Sequence, residues 1–245
     1  VEGTAEITRQ TGGYAPFIHF VLLQLQRGTP WGDTLFHAAS MDLAVWLDAT
    51  YWQTIDQRMR DFLLPLASFP RFTVELARML TGDPDVHMTI AHAMEVGSFV
   101  VPQSDGSYQL MPPKFTGYLQ TKQNQLWTLE MRRHNDEIAG LYYELNGELK
   151  NALECYERAE KKTHVAQLLI RTAGQNPMDA LYQGTEKFYR ALPEEIVLVY
   201  PELMSALSML CSVRNQPEES ERWFDALTAY TKDKSHSKGD RRSAE

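Results

Sequence analysis

The chain has 245 residues, of which 43% are hydrophobic and 23% charged, proportions typical of a globular protein with a sizeable core. Its 32 acidic residues outnumber its 24 basic ones, and the formal net charge of -8 argues against a general surface for nucleic acids. No apolar run is long enough to span a membrane, and the two cysteines, Cys155 and Cys211, lie in apolar helical patterns that predict reduced thiols and a cytoplasmic location.

The N-terminal part is predicted to be a short helical segment. One amphipathic helix is expected over residues 16–26, where Pro16 suits the first turn, and a second over residues 41–52. We assign both to a segment of residues 1–55. Because the chain opens at Val1, directly into what reads as the middle of a fold, we expect it to be part of a larger protein.

A change to short elements marks the next predicted domain, residues 56–125. Three helices are expected at residues 59–66, 72–80 and 85–96. Thr73 and Asp85 are the candidate N-caps of the last two. Two β-rich runs follow on either side of Asp105 and Gly106, and an Asp-Gly turn between such runs predicts a hairpin. Three helices followed by a hairpin is the winged-helix order.

Beyond a helical link predicted over residues 114–135, the sequence is typical of stacked helix pairs, which we assign to residues 126–231. The clearest pair is residues 139–160. Gly140 and Ala152 are small enough for two helices to approach closely, and Gly147 tolerates the left-handed backbone that ends the first helix. This stretch resembles a tetratricopeptide repeat, whose units stack on neighbours to bury their apolar faces.

Two further helix pairs are predicted, a degenerate one at residues 165–191 and a third at residues 201–230. In the third, Ala206, Leu210, Ser220, Phe224 and Leu227 have helix–turn–helix spacing. Residues 232–245 are rich in Ser, Lys, Gly and Arg and read as a disordered tail. The fold class expected from these elements is therefore mainly α, with a helical segment, a winged helix carrying one small β-hairpin, and an array of helical repeats.

The order of these parts resembles the middle of the MalT-like, LuxR-type ATP-dependent transcription regulators, a branch of the STAND signalling ATPases. Four stretches carry the likeness and together span nearly all of residues 1–231: residues 11–23, 62–77, 139–160 and 188–203. The resemblance implies a nucleotide-binding domain before this chain, a DNA-binding domain after it, and ATP or ADP as the cofactor of the whole protein. It also implies that Tyr14 and Pro16 contact the nucleotide together with that absent domain.

This sequence also departs from the family pattern in three respects. Pro112 stands where the family usually carries a His, so a phosphate contact by that side chain is absent. The family's Trp-Pro pair is Tyr14-Ala15 here, with the proline displaced to Pro16. The chain also has no G-x-x-x-x-G-K-[ST] phosphate-binding loop, so phosphate binding and hydrolysis lack their usual parts.

Three chemical roles are disfavoured by the residues at the places where they would be expected. The third helix of the winged helix, residues 86–95, has no Arg, Lys, Asn or Gln to read base edges, which argues against DNA binding. His87 and His92 are five apart and do not share a helix face as metal ligands would. The acidic pairs at residues 194–195 and 218–219 follow prolines at helix starts, where negative charge suits the helix dipole better than it indicates catalysis.

We therefore expect a non-catalytic transmission and sensor section that binds an effector or protein through its repeats. The event would pass through the winged helix to the nucleotide-binding and DNA-binding domains of the same parent chain. Two alternatives stay open: a free-standing helical-repeat adaptor without a nucleotide switch, and an enzyme domain whose catalytic residues form no recognisable motif. No metal, nucleic acid or membrane contact is expected from this chain itself.

Overall fold

Helices make up most of the chain, and one small antiparallel sheet accompanies them, which confirms the predicted fold class. The computed structural model describes residues 2–96, 99–173 and 184–232. By its internal contacts the chain divides into two units, residues 1–129 and 130–245. The predicted disordered tail lies outside the described residues except for Lys232, and the three boundaries between the four segments drawn from the sequence stay predictions.

The first unit contains, in chain order, α1 (Glu2–Thr11), α2 (Ala15–Gln26), α3 (Asp33–Leu47), a π-helical turn (Asp48–Trp52), α4 (Gln57–Leu66), β1 (Arg71–Phe72), α5 (Val74–Thr81), α6 (Val86–Glu95), β2 (Val100–Pro102), β3 (Tyr108–Leu110) and α7 (Pro113–Leu126). The second has α8 (Leu129–Leu145), which begins at the boundary, α9 (Leu149–Arg158), α10 (Lys162–Ala173), α11 (Glu186–Arg190), α12 (Glu194–Val197), α13 (Pro201–Val213) and α14 (Pro217–Lys232).

The N-terminal helices follow the prediction in part. Helix α2 matches the predicted residues 16–26 to within one residue, whereas α1 was not predicted. The helix predicted from residue 41 in fact begins at Asp33, after Gly32 with its positive φ of 125°. Its buried stripe recurs every four residues, at Leu35, Ala39, Leu43 and Leu47. The predicted helix also continued as a regular α-helix to Trp52, whereas residues Asp48–Trp52 form the π-helical turn.

The winged helix has the predicted three helices, and its hairpin is extended by a third strand. Strand β1 pairs with β3 (Arg71 with Gln109, Phe72 with Tyr108), so the sheet order is β1-β3-β2. The sequence prediction placed Phe72 at the start of a helix, which is wrong: α5 begins at Val74. A two-residue strand is too short to show alternation, and only pairing with β3 defines it.

The caps of α5 and α6 differ from each other. The Thr73 hydroxyl accepts the Leu76 N–H at 3.1 Å, so the predicted cap of α5 is confirmed. Asp85 occupies the N-cap position of α6 but its side chain makes no capping bond. The neighbouring Asp83 binds this end of the helix instead, since its carboxylate accepts the N–H of Asp85 at 2.9 Å and the Thr89 hydroxyl at 2.8 Å. A carboxylate at the start of α6 also suits its dipole.

The predicted helical link over residues 114–135 is two helices, not one. Helix α7 ends at Leu126, and Trp127 has extended backbone (φ -103°, ψ 139°) before α8 begins. Within the first unit, Gln123 fixes α7 against α4: its amide donates to the Leu64 carbonyl at 2.7 Å and accepts the Ser68 hydroxyl at 3.0 Å. Buried amides need such partners, and this one is satisfied at both ends.

The second unit is built of successive helix pairs around one hydrophobic core. Helix α8 ends at Leu145, and Gly147 in the turn after it has a φ of 73°, the left-handed conformation predicted there. The turn before α14 uses Asn215 in the same conformation (φ 56°). Of the residues predicted for the last pair, Ala206, Leu210 and Leu227 are buried, and the Ser220 hydroxyl donates to the Ser208 carbonyl at 2.8 Å. Phe224 does not join them, because 60% of it is exposed.

Candidate functional site

The predicted nucleotide-contact residues lie at the start of α2. Tyr14 is the N-cap residue, with extended backbone, and Pro16 lies in the first turn. Both side chains are half-buried, and burial raises the pKa of the Tyr14 hydroxyl. The next residue, Phe17, is fully buried, and its ring has the Lys114 ammonium 4.5 Å from its centroid. Whether Tyr14 and Pro16 touch a nucleotide stays a prediction.

The start of α2 therefore contacts the start of α7. The start of α7 is also where Pro112 replaces the His that the family usually carries. Pro112 is the N-cap residue of α7, and its backbone is extended. A pyrrolidine ring has no N–H and no charge to offer a phosphate. Two residues further on, Lys114 supplies a cation at the same helix end. Helix α7 thus carries a positive group close to the position where the family's His would stand.

An open cleft of about 710 Å³ lies between α3, the π-helical turn and α7, entirely within the first unit. From α7 it is lined by a single helix face, residues spaced three and four apart: Lys114, Gly117, Tyr118, Thr121, Lys122 and Gln125. From α3 and the residues after it the lining is broader and includes consecutive residues: His37, Ser40, Met41, Leu43, Ala44, Val45, Leu47, Asp48, Ala49 and Gln53. The sequence analysis missed this cleft, although the spacing along residues 114–125 was a usable signal.

One end of the cleft holds a closed polar cluster. The Asp48 carboxylate accepts the Tyr118 hydroxyl at 3.0 Å and forms an ion pair with Lys122. The Lys122 ammonium lowers the pKa of Asp48, so the carboxylate is charged at neutral pH. Burial, together with the hydrogen bond to Asp48, raises the pKa of Tyr118. The cluster holds the π-helical turn against α7. The Asp48 carboxylate is thereby already bound to Tyr118 and Lys122.

Lys114 is in a different situation. Among the described residues no carboxylate lies within ion-pair distance of its ammonium, which rests on the Phe17 ring instead. Burial without an opposite charge lowers the pKa of Lys114. A half-buried cation that has an aromatic ring but no carboxylate beside it would gain from a nearby anion.

The third helix of the winged helix presents a surface unsuited to DNA. The exposed side chains of α6 include His87, Met88, His92, Met94 and Glu95. Met88 is 60% exposed, and no Lys or Arg lies on this helix to contact phosphate or guanine.

The side chains of the described ranges 2–96, 99–173 and 184–232 do not form a metal-binding cluster. There, no group of three or more His, Cys, Asp or Glu side chains could hold a metal ion. Cys155 and Cys211 are free, as predicted, and buried. Burial raises the pKa of the Cys155 thiol to about 11, the opposite of what a nucleophile needs. In the same ranges, none of the helices is long and apolar enough to cross a membrane.

In the second unit, the pair α8–α9 is fixed by a buried aromatic residue and an acid. The Tyr156 hydroxyl donates to the Glu144 carboxylate at 2.7 Å, and Arg171 of α10 forms an ion pair with the same carboxylate. Arg158 donates to Asp136 at 2.7 Å, which joins α9 back to α8 a second time. These contacts position the helices, and two further tyrosines of this unit, Tyr142 and Tyr189, are buried, at 7% and 2% exposure.

A comparison with known protein families finds a match within the first unit. Residues 50–126 match the family model described as the MalT winged helix domain, a stretch that runs from the π-helical turn to the last residue of α7. The match includes the three helices, the sheet and the α7 wall of the cleft. No curated protein matches the chain. Residues 50–126 are therefore similar to MalT winged helix domains. The residues on either side of this stretch lie outside the match.

Proposed function

We propose that this chain is the transmission and sensor section of a MalT-like, LuxR-type transcription regulator of the STAND class. The observation that carries the proposal is the match of residues 50–126 to the MalT winged helix domain, followed in the chain by helix pairs from α8 onward. In this proposal the helix pairs are tetratricopeptide-like and bind an effector or a protein. The winged helix relays that event to a nucleotide-binding domain of the same parent chain and so to its DNA-binding domain.

The mechanism is a shift between two domain arrangements. An effector that binds one arrangement more tightly favours it, and its effect is limited by the difference between its two affinities. The surface of α6, with exposed Met88 and Met94 and no basic residue, supports a protein contact in this relay and not a DNA contact. We propose accordingly that the section is not an enzyme and acts in the cytoplasm, with ATP or ADP bound by the parent protein.

A free-standing helical-repeat adaptor is the second candidate, and specific residues favour it. Pro112 replaces the usual His, and Ala15 replaces the proline of the family's Trp-Pro pair, so two nucleotide contacts of the family are altered. In an adaptor, the winged helix would be a structural domain and the helix pairs would hold a peptide regardless of ATP.

The coding sequence on both sides of this chain separates the two candidates. A phosphate-binding loop upstream and a helix-turn-helix downstream are the result that the regulator predicts. A start codon directly before Val1 and a stop codon directly after Glu245 would refute the regulator and leave the adaptor.

A further inference from the structure

The cleft between α3, the π-helical turn and α7 has the size and lining of a small-molecule site. Its volume of about 710 Å³ falls inside the range of roughly 300–1,000 Å³ that ligand pockets occupy. Most of its wall surface is apolar, and polar side chains, among them Lys114 and Lys122, lie between the apolar ones. π-Helical turns, one of which forms part of the wall, are rare and occur frequently at functional sites.

The apolar wall includes large side chains that the fold leaves uncovered. Met41 and Val45, one turn apart on α3, are 59% and 69% exposed. Beneath them Leu43 and Leu47 are buried and give the cleft a rigid floor. An apolar body laid along α3 would cover Met41 and Val45, and that burial would favour binding by about 25 cal/mol for each Å² removed from water.

The charges of the cleft point to an anion. In a protein with a net charge of -8, the lining has two lysines and a single carboxylate, Asp48. That carboxylate already forms an ion pair with Lys122 and accepts a hydrogen bond from Tyr118. Lys114 is therefore the one lining cation that, within the described residues, faces no acid. It lies in the first turn of α7, where the positive end of the helix dipole adds to its attraction for a negative group.

We propose that this cleft binds a small organic anion that combines one acidic group, held by Lys114, with an apolar body lying along Met41 and Val45. The occupant is a carboxylate amphiphile in this account, because a single unpaired cation beside an apolar wall matches a single charge beside an apolar body. A polyphosphate would need more cations than the cleft offers. The inference does not rest on the proposed relay, since every residue involved belongs to the first unit.

The test compares two ligands that share a chain and differ in the head group, decanoate and decan-1-ol, with the 245-residue protein. Their affinities are measured by displacement of the fluorescent anion 8-anilinonaphthalene-1-sulfonate and by calorimetry. Decanoate should bind once per chain, on the order of tenfold tighter than decan-1-ol, because a charge-assisted contact contributes about 1.5 kcal/mol or more. Equal affinities for the two ligands, or no binding of decanoate, would overturn the proposal.

Two variants locate the site. Lys114→Gln should reduce decanoate affinity about tenfold and leave decan-1-ol unchanged, whereas Lys150→Gln, which removes an exposed lysine of α9, should change neither. Gly117→Leu should abolish binding of both ligands, because a Cβ on Gly117 meets no atom within 4 Å and the leucine would occupy the cleft. Leucine is a better helix former than glycine, so this variant should fold. Unchanged decanoate affinity in Gly117→Leu or in Lys114→Gln would refute the site.

Discussion

Gly140 of α8 lies directly against the ring of Tyr156 of α9. A Cβ added to Gly140 would be 2.8 Å from Cε1 of Tyr156, closer than real Cβ contacts come, and Tyr156 itself is only 2% exposed. The tyrosine ring cannot easily move away, because its hydroxyl is bound to Glu144 at 2.7 Å. The close approach of the two helices therefore depends on a residue without a side chain.

Gly140→Ala should destabilise the second unit even though alanine is the better helix former. The propensity gain is about 1 kcal/mol, and the overpacking against a fixed ring costs roughly 1–3 kcal/mol. Gly117→Ala is the matched control, since its added Cβ meets no atom within 4 Å in α7, and it should be stabilising by up to about 1 kcal/mol. Urea unfolding of both variants, followed by circular dichroism, measures the difference. A stabilising Gly140→Ala would show that α8 and α9 do not approach as described.

Phe115 anchors the first unit. It is fully buried, its ring stacks on Phe99 with centroids 3.7 Å apart, and the Tyr51 ring meets its face edge-on at 5.3 Å. Phe115→Ala should lower the free energy of unfolding by about 3–5 kcal/mol, through lost burial and the cavity left behind. Met88→Ala, at a 60% exposed position of α6, should change it by no more than about 0.5 kcal/mol. Similar losses in the two variants would contradict the assigned core.

Glu186 makes the stability of the second unit dependent on pH. Its carboxylate accepts from Arg214 at 2.8 Å and from Arg190 at 3.0 Å, and these hydrogen bonds hold its pKa below the usual 4.5. Because the folded pKa is the lower one, the stabilisation is fully present above the unfolded pKa. It is lost as the pH falls through that value toward the folded pKa.

Glu186→Gln should therefore cost a few tenths to about 1 kcal/mol at neutral pH and lose this part of the acid dependence. Glu195→Gln, an exposed residue of α12, serves as the control. Unfolding free energies measured from about pH 2 to about pH 7 give the answer, because this range runs from well above the unfolded pKa down through the lowered folded pKa. If the free energy of unfolding falls equally steeply with decreasing pH in the wild type and in Glu186→Gln, Glu186 does not make this contribution.

The two cysteines should resist alkylation until the protein unfolds. Burial raises the pKa of Cys155 to about 11 and also raises that of Cys211. For Cys155 the thiolate fraction at neutral pH falls about a hundredfold below that of an ordinary thiol with a pKa near 9, and burial blocks access as well. Mass spectrometry after iodoacetamide should find both thiols unmodified in the native protein and both modified in urea. Rapid modification of Cys155 in the native state would contradict its burial.

The sequence predicted those features that local chemistry determines. The left-handed turn at Gly147, the cap at Thr73, the hairpin turn at Asp105–Gly106 and the restart after Pro193 all depend on residues within a few positions of each other. Each was identified from the sequence for that reason.

Features that depend on contacts between residues far apart along the chain could not be predicted from the sequence. Strand β1 exists because Phe72 pairs with Tyr108, 36 positions away in the chain, and nothing within two residues signals a strand. The cleft likewise needs α3 and α7 to be neighbours before Val45 and Lys114 become parts of one lining. Tyr14 and Pro16 were correctly placed at a helix start, and their contact with nucleotide stays a prediction.

The central claim is that the winged helix relays a nucleotide-dependent event, and hydrogen exchange in the parent protein tests it most directly. Exchange is followed by mass spectrometry with ATP and with ADP. The relay predicts different protection in the two states in peptides covering α2 and α6, and a change in the helix pairs from α8 onward. Identical exchange throughout residues 1–232 with both nucleotides would contradict the relay and leave the adaptor as the better account.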